Sequence, residues 1–257
     1  MLCTMALAAE KSDFRPFEPK QDLLSLHYDH APDKDDGHSA AADRTLLDAR
    51  FDADWIRQHT VAVSGAYGKN AKRFNDKSDA VMDTVWNDRG GWLDAHADHG
   101  AAVQQLAKRW RQILDAGGDI WVKEGGQSDI TAEVIKRLQA KNLGFEPRRR
   151  VHVVQHSDWN ENQSGDDALK FCKQNTDYQR IPDANAYLNE KGGNAKFERA
   201  ALAHPTQRDG WRAAFAYYPT SVRLDFSDTG ELLHILGLGR VGIDEFGERY
   251  LAPSKQE

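Results

Sequence analysis

The sequence predicts an α/β fold, with a mostly parallel, open sheet and helices on both faces. Short apolar runs alternate along the chain with longer stretches whose apolar residues recur at helical spacing. The short runs end in glycine or in clustered polar residues, as strands do where the chain turns. No apolar run approaches the ~20 residues that a bilayer-spanning helix needs, so no membrane partner is expected.

Taken in order, Leu23 to Tyr28 reads as a strand and Ser39 to Leu47 as a helix. Thr60 to Ser64 is strand-like and ends in the turn Gly65-Ala66-Tyr67-Gly68. Ala101 to Leu114 places Val103, Leu106, Trp110, Ile113 and Leu114 at helical spacing and closes at Gly117-Gly118. Asp119 to Lys123 is the next strand, followed by Gly125-Gly126 and a helix from Ser128 to Leu138. Val151 to Gln155 is a strand, Asp166 to Lys173 a helix, and Tyr178 to Ile181 a short strand. Helices are expected near Trp211 to Tyr217, Thr229 to Leu236 and Asp244 to Tyr250. Such alternation implies a Rossmann-like parallel sheet, in which ligands bind beyond the carboxyl ends of the strands.

At 257 residues the chain can hold one large domain or two small ones. Pro16, Pro19 and the charges around them make residues 1–21 a polar lead-in, leaving 22–257 as a single α/β domain. The first ten residues resemble the tail of a signal peptide without its basic start. That favours a periplasmic or secreted place over a cytoplasmic one. A net charge of −6 argues against a nucleic-acid partner, which would require a clustered basic face. The basic run Arg148 to Arg150 is better explained as the solvated start of a strand. Cys3 and Cys172 make neither a disulfide framework nor a zinc spacing, and Cys172 reads as a small apolar residue on a helix.

The strand ends carry the chemistry. After the first strand come His27, Asp29, His30, Asp33, Asp35, Asp36 and His38 within a dozen residues, interrupted by Pro32 and Gly37. Carboxylates this close repel unless a cation or proton compensates, and a hard divalent ion is the economical explanation. The bland alternative, a solvated acidic loop, is weakened by the core strand before the cluster and the helix after it. Glu124-Gly-Gly-Gln-Ser-Asp129 follows another strand, with glycines that let backbone approach a ligand. His156-Ser-Asp-Trp-Asn-Glu161 follows a third, where Trp159 could equally tuck back on the core. Asp228, opening the helix at Thr229, is by type an N-cap.

In this order the segments resemble the nucleoside hydrolase superfamily, especially its divergent branch. His27-Tyr-Asp29 followed by Asp35-Asp36 is similar to the family's calcium-binding Asp-x-Asp…Asp-Asp motif, with two extra residues and a histidine in the first position. Glu124-Gly-Gly-Gln-Ser-Asp-Ile130 is similar to its Gly-x-x-Thr-Asn-Ile turn. Ser-Asp228-Thr-Gly looks like its late metal-binding aspartate. Ser227 stands where many members have a histidine, and the ribose-holding asparagine has two candidates, Asn160 and Asn185.

The resemblance implies a nucleoside-hydrolase-like fold and a calcium-dependent hydrolase of N-glycosidic bonds in nucleosides or related ribosides. Calcium would be held by Asp29, Asp36, Asp228 and the Glu124 carbonyl. Asp29 would act as general base and Asp35 would grip a sugar hydroxyl. His156, Asp158 or Asn160 could contact the substrate, and Trp159 could stack on a base or sugar. A small riboside or sugar is the expected partner, and a homo-oligomer fits the family. One rival is a zinc or iron hydrolase built from His27, Asp29, His30, His38, His96 and His99. Another is a non-catalytic sugar-binding domain on the same fold.

Overall fold

Strand β1 (Leu23–Tyr28) is buried along its whole length and lies inside a six-stranded parallel sheet. Its alternation sets the layers: Leu24, Leu26 and Tyr28 face one apolar core, while Leu23, Ser25 and His27 point to the other side. The computed structural model describes residues 15–30, 34–65, 67–86, 91–126, 128–141 and 144–251. The leader-like first ten residues, Cys3, Pro32, Asp33, Ala66 and Gln127 lie outside the described residues.

The other strands are β2 (Thr60–Ser64), β3 (Trp92–Asp94), β4 (Ile120–Gly125), β5 (Val151–His156) and β6 (Asp177–Ile181). Their order is β3-β2-β1-β4-β5-β6, every adjoining pair parallel. Helices α1 (Asp36–Asp48) and α2 (Ala53–His59) connect β1 to β2, α3 (Asp79–Trp86) leads to β3, and α4 (His99–Asp115) to β4. Helices α5 (Asp129–Lys141) and α6 (Pro147–Arg150) lead to β5, and α7 (Asp158–Gln163) and α8 (Asp166–Asn175) to β6. Then follow α9 (Asn185–Leu188), β7 (Asn189–Lys191), α10 (Ala195–Leu202) and α11 (Arg208–Tyr217). Next come β8 (Arg223–Asp225), α12 (Thr229–Ile235) and α13 (Ile243–Phe246), with β7 and β8 forming an antiparallel pair.

Helices lie on both faces, as expected. On one face α1, α3, α11 and α12 bury Leu46, Met82, Trp211 and Leu232 against Leu24, Leu26 and Trp121. On the other, α4 and α5 bury Leu106, Trp110, Val134 and Ile135 against Val122 and Val153. Burying an aromatic or large aliphatic side chain contributes ~1.5–3 kcal/mol each. The two fully buried indoles also satisfy their N–H groups, Trp110 on Ser25 Oγ at 3.1 Å and Trp211 on Thr45 Oγ1 at 2.9 Å.

Each run expected as a strand is one, and Cys172 is buried on α8. Arg148 to Arg150 form the single turn α6 just ahead of β5, with Arg150 paired to Asp119. The segment expected as one helix from Asp244 to Tyr250 is divided into α13 and a π turn at Gly247–Leu251. The short elements β3, β7, β8, α2, α3, α6, α7, α9 and α10 were not legible. Most span too few residues to display a period.

Candidate functional site

At β1 and β4 the strand order switches direction, which opens a crevice beyond their carboxyl ends. A cavity of about 390 Å³ lies there. Its floor is Asp29, Asp35, Asp36, Gly125, Gly126 and Asp228, and its rim includes Trp159, Asn160, Gln163, Asn185, Arg223 and Asp225.

Local rules build each wall. Asp29 follows directly on β1, and His30 turns the chain at a φ of +51°, a left-handed value that is uncommon outside glycine. The His30 backbone N–H donates to Asp36 Oδ2 at 2.6 Å, tying the loop to the first residue of α1. Asp36 also shares a hydrogen bond with the Asp29 carboxyl, while its Oδ1 is buried without a partner. Asp35 is the N-cap residue of α1, but its side chain does not cap the helix.

The glycine pair makes room for these acids. A Cβ on Gly126, whose φ is +99°, would stand 2.0 Å from Asp29 Oδ2. One on Gly125 would stand 2.4 Å from the His27 carbonyl oxygen. The Asp29 carboxylate therefore rests on bare backbone, a close approach open only to glycine.

Asp228 departs from its bland reading. It holds the N-cap position of α12, yet its side chain makes no capping bond. Asp228 Oδ1 instead lies 2.8 Å from His156 Nε2 and accepts from Asn160 Nδ2 at 2.9 Å. Asn160 is set by the start of α7, where the Ser157 hydroxyl accepts its backbone N–H at 3.1 Å.

The electrostatics separate the two buried aspartates. Burial pushes the Asp36 carboxyl well above the carboxylate range, and the charges of Asp29 and Asp228 push it further. Burial also works against ionised Asp228, but the His156 hydrogen bond, the Lys123 charge and Asn160 outweigh it and hold its pKa low. His156 is correspondingly raised to about 8: burial opposes its charge, and the bond to Asp228 overcomes that. Glu231, behind them on α12, is raised to about 8 by burial.

Most residues singled out from sequence meet at this cavity. Asp29, Asp35, Asp36, Asp228, Trp159, Asn160 and Asn185 all line it. His156 stands behind Asp228 and is 1 % exposed, so it supports the pocket rather than facing it. Asp158 turns outward, its side chain 90 % exposed and paired with Arg180 at 2.7 Å. It does not line the cavity, to which α7 presents Trp159, Asn160 and Gln163 instead. Trp159 does not tuck back on the core and is 57 % exposed. The Glu124 side chain points to the other face of the sheet, where Oε2 accepts from Thr131 at 2.7 Å. Its carbonyl oxygen already accepts from the Gly126 N–H at 2.6 Å and Gln155 Nε2 at 3.2 Å. Service as a ligand would require it to give up one of these.

The histidines of the rival centre do not gather. His27 sits with Ser25 on the far face, and His38 Nε2 bonds to the Tyr218 carbonyl oxygen at 2.7 Å. His96 stacks on Phe74, and His99 pairs with Glu133. His30 is buried against Tyr217 and Phe74. Among the described residues one His/Asp/Glu group has metal-binding spacing, and it is a different one: His156, Asp228 and Glu231, with ligand atoms within 4.8 Å.

Sequence reasoning passed over Lys123, Glu231, Asp43 and Arg223. Lys123 carried a signal, as the only charge in the otherwise apolar run Ile120-Trp-Val-Lys123 ahead of Glu124.

No protein-family model matches the chain, and no curated protein matches it. Among solved structures it is similar to the effector protein XOO4466. The two are 12% identical, with 91% of this chain and 92% of that chain covered, at a TM-score of 0.47.

Proposed function

We propose that the chain is a divalent-cation-dependent hydrolase of N-glycosidic bonds in nucleosides or related ribosides, with calcium the expected ion. The observation that carries this reading is Asp36 Oδ1, buried without a donor beside the carboxyl of Asp29 and in the field of Asp228. A buried carboxylate oxygen with no partner is costly, and a hard cation relieves that cost together with the repulsion among the three acids. Asp29, Asp36 and Asp228 would hold the ion. When bound, it would supply a Lewis acid that makes water a better nucleophile and polarises sugar hydroxyls.

The chain's own residues account for the rest. Asp29, placed on the floor, takes the proton from the attacking water as its oxygen bonds to the anomeric carbon. The carbon–nitrogen bond breaks with its electron pair leaving on the base, which takes a proton from water at the open rim. Asp35 lines the cavity, where it would hold a sugar hydroxyl. Asn160 fixes Asp228 and presents its amide to the same space. Trp159 offers an exposed indole at the rim for a base to stack on. His156 keeps Asp228 ionised and in place.

The test is ribose release from a panel of ribosides by purified protein, with and without chelator. Release should stop with chelator and fall by ~10²–10⁴-fold in Asp29→Asn, as expected on losing a general base. Release indifferent to both would refute the site. Tight sugar binding without product would favour the non-catalytic reading.

One observation favours a zinc or iron centre over calcium: the nitrogen donor of the His156, Asp228 and Glu231 group. Metal analysis of protein purified without added metal separates the two. Calcium, or retention of none after dialysis with calcium restoring activity, supports the oxygen-ligand site.

A further inference from the structure

Strand β4 sends Lys123 into the space between the sheet, α1 and α12, where its side chain is fully buried. The ammonium lies over the Tyr28 ring, 4.0 Å from the centroid, and stops 3.4 Å from Asp43 Oδ2 without making a hydrogen bond. A Cβ on Gly125 would stand 3.3 Å from both Lys123 Nζ and Asp36 Oδ1. The ammonium and the partnerless carboxylate oxygen therefore flank the same bare backbone position.

A buried lysine is costly unless carboxylates surround it. Here Asp43, Asp228, Asp36 and Glu231 outweigh burial and keep the amine charged. The dependence is mutual. Asp36 Oδ1, Asp43 Oδ1 and Glu231 Oε2 lack hydrogen-bond donors, while the second oxygen of each accepts one bond, from the His30 N–H, the Tyr28 hydroxyl and the His156 N–H. The Lys123 charge opposes the burial that raises all three carboxyls.

We propose that Lys123 is a positioning residue of this pocket: its buried ammonium is a resident counter-charge that holds Asp36, Asp43 and Asp228 together from behind the strand ends, so the carboxylate cluster keeps its shape when no divalent ion is bound. The proposal rests on the cation reading given above. It separates two jobs that many metal sites combine. The lysine keeps the acids folded in, and the ion adds reactivity from the pocket side. Without the lysine, the ion would have to do both.

The experiment is thermal melting of the wild type, Lys123→Met and Lys123→Arg, each in chelator and in calcium chloride. Wild type should melt cooperatively in chelator and gain modestly from calcium. In chelator Lys123→Met should melt ~10 °C lower, the scale expected when a buried charge loses its partner in a domain of this size. Calcium should recover most of that loss, giving the variant a larger calcium shift than the wild type. Lys123→Arg, which keeps the charge but not the shape, should respond to calcium as the wild type does. If the loss in Lys123→Met is the same with and without calcium while the wild type still gains from calcium, the lysine only fills space and the proposal falls alone. A variant that cannot be recovered folded even in calcium also counts against it. No calcium shift in any of the three proteins overturns the cation reading itself.

Discussion

Asp36 is held where its own charge is least welcome. One oxygen takes the His30 backbone N–H, the other has no donor, and Asp29 and Asp228 oppose its ionisation. Residues kept in such positions commonly trade stability for function. Asp36→Asn should therefore melt higher than the wild type in chelator and yet lose ribose release. Differential scanning calorimetry and the riboside assay check the two halves. At the other end of the sheet, His152 offers a control away from the pocket. Burial works against its charged form, but hydrogen bonds to Asp119 and Asp177 outweigh this and raise its pKa above 6.5. A raised folded pKa stabilises below the ordinary value and loses that contribution as pH rises through the folded one. His152→Gln should thus cost more stability at pH ~6 than at pH ~9, read from urea midpoints at both. At this scale the adjacent Asp35 and Asp36 were legible because their crowding is visible in the sequence itself. Lys123 is harder to read: it is the lone charge in an apolar run, but a lysine closing a strand reads as a solvated charge until its burial is known.

The turn after β4 shows how an element rather than a residue makes the site. Gly125 and Gly126 have no side chains, and Asp29, Asp36 and the His27 carbonyl occupy the space these would fill. Gly126→Ala would combine a left-handed φ with a direct clash on Asp29, at a cost of ~1–3 kcal/mol. Its midpoint of denaturation should drop, and its calcium shift should shrink with the displaced carboxylate. Neighbouring elements also decide where Asp228 and Asp158 point. Asp228 looks like an N-cap because aspartate before a helix usually bonds the helix N–H groups. Here His156 and Asn160, both from the β5–α7 segment, draw the carboxylate away. Asp158 follows the same strand end but faces outward, since the residues of a helix diverge around its axis. The sequence spacing placed both at the strand end and could not tell which side each would face.

At the scale of the whole molecule, the fold follows from the alternation of strands and helices, while the strand order does not. Pairing β1 between β2 and β4 is a non-local choice, and it decides which strand ends meet. Once it is made, the ends of β1, β4 and β5 and the start of α12 converge on one cavity. The acids needed there are spread from Asp29 to Asp228 along the chain, so their convergence is a property of the sheet and not of any segment. The shared order of the motifs gave the only sequence hint of it. Whether the three acids form one cation site is read directly by calorimetric titration of calcium into chelator-treated wild type and Asp228→Asn. Saturable binding of one ion per chain is expected in the wild type and none in the variant. Equal binding by both, or none by the wild type, would contradict such a site.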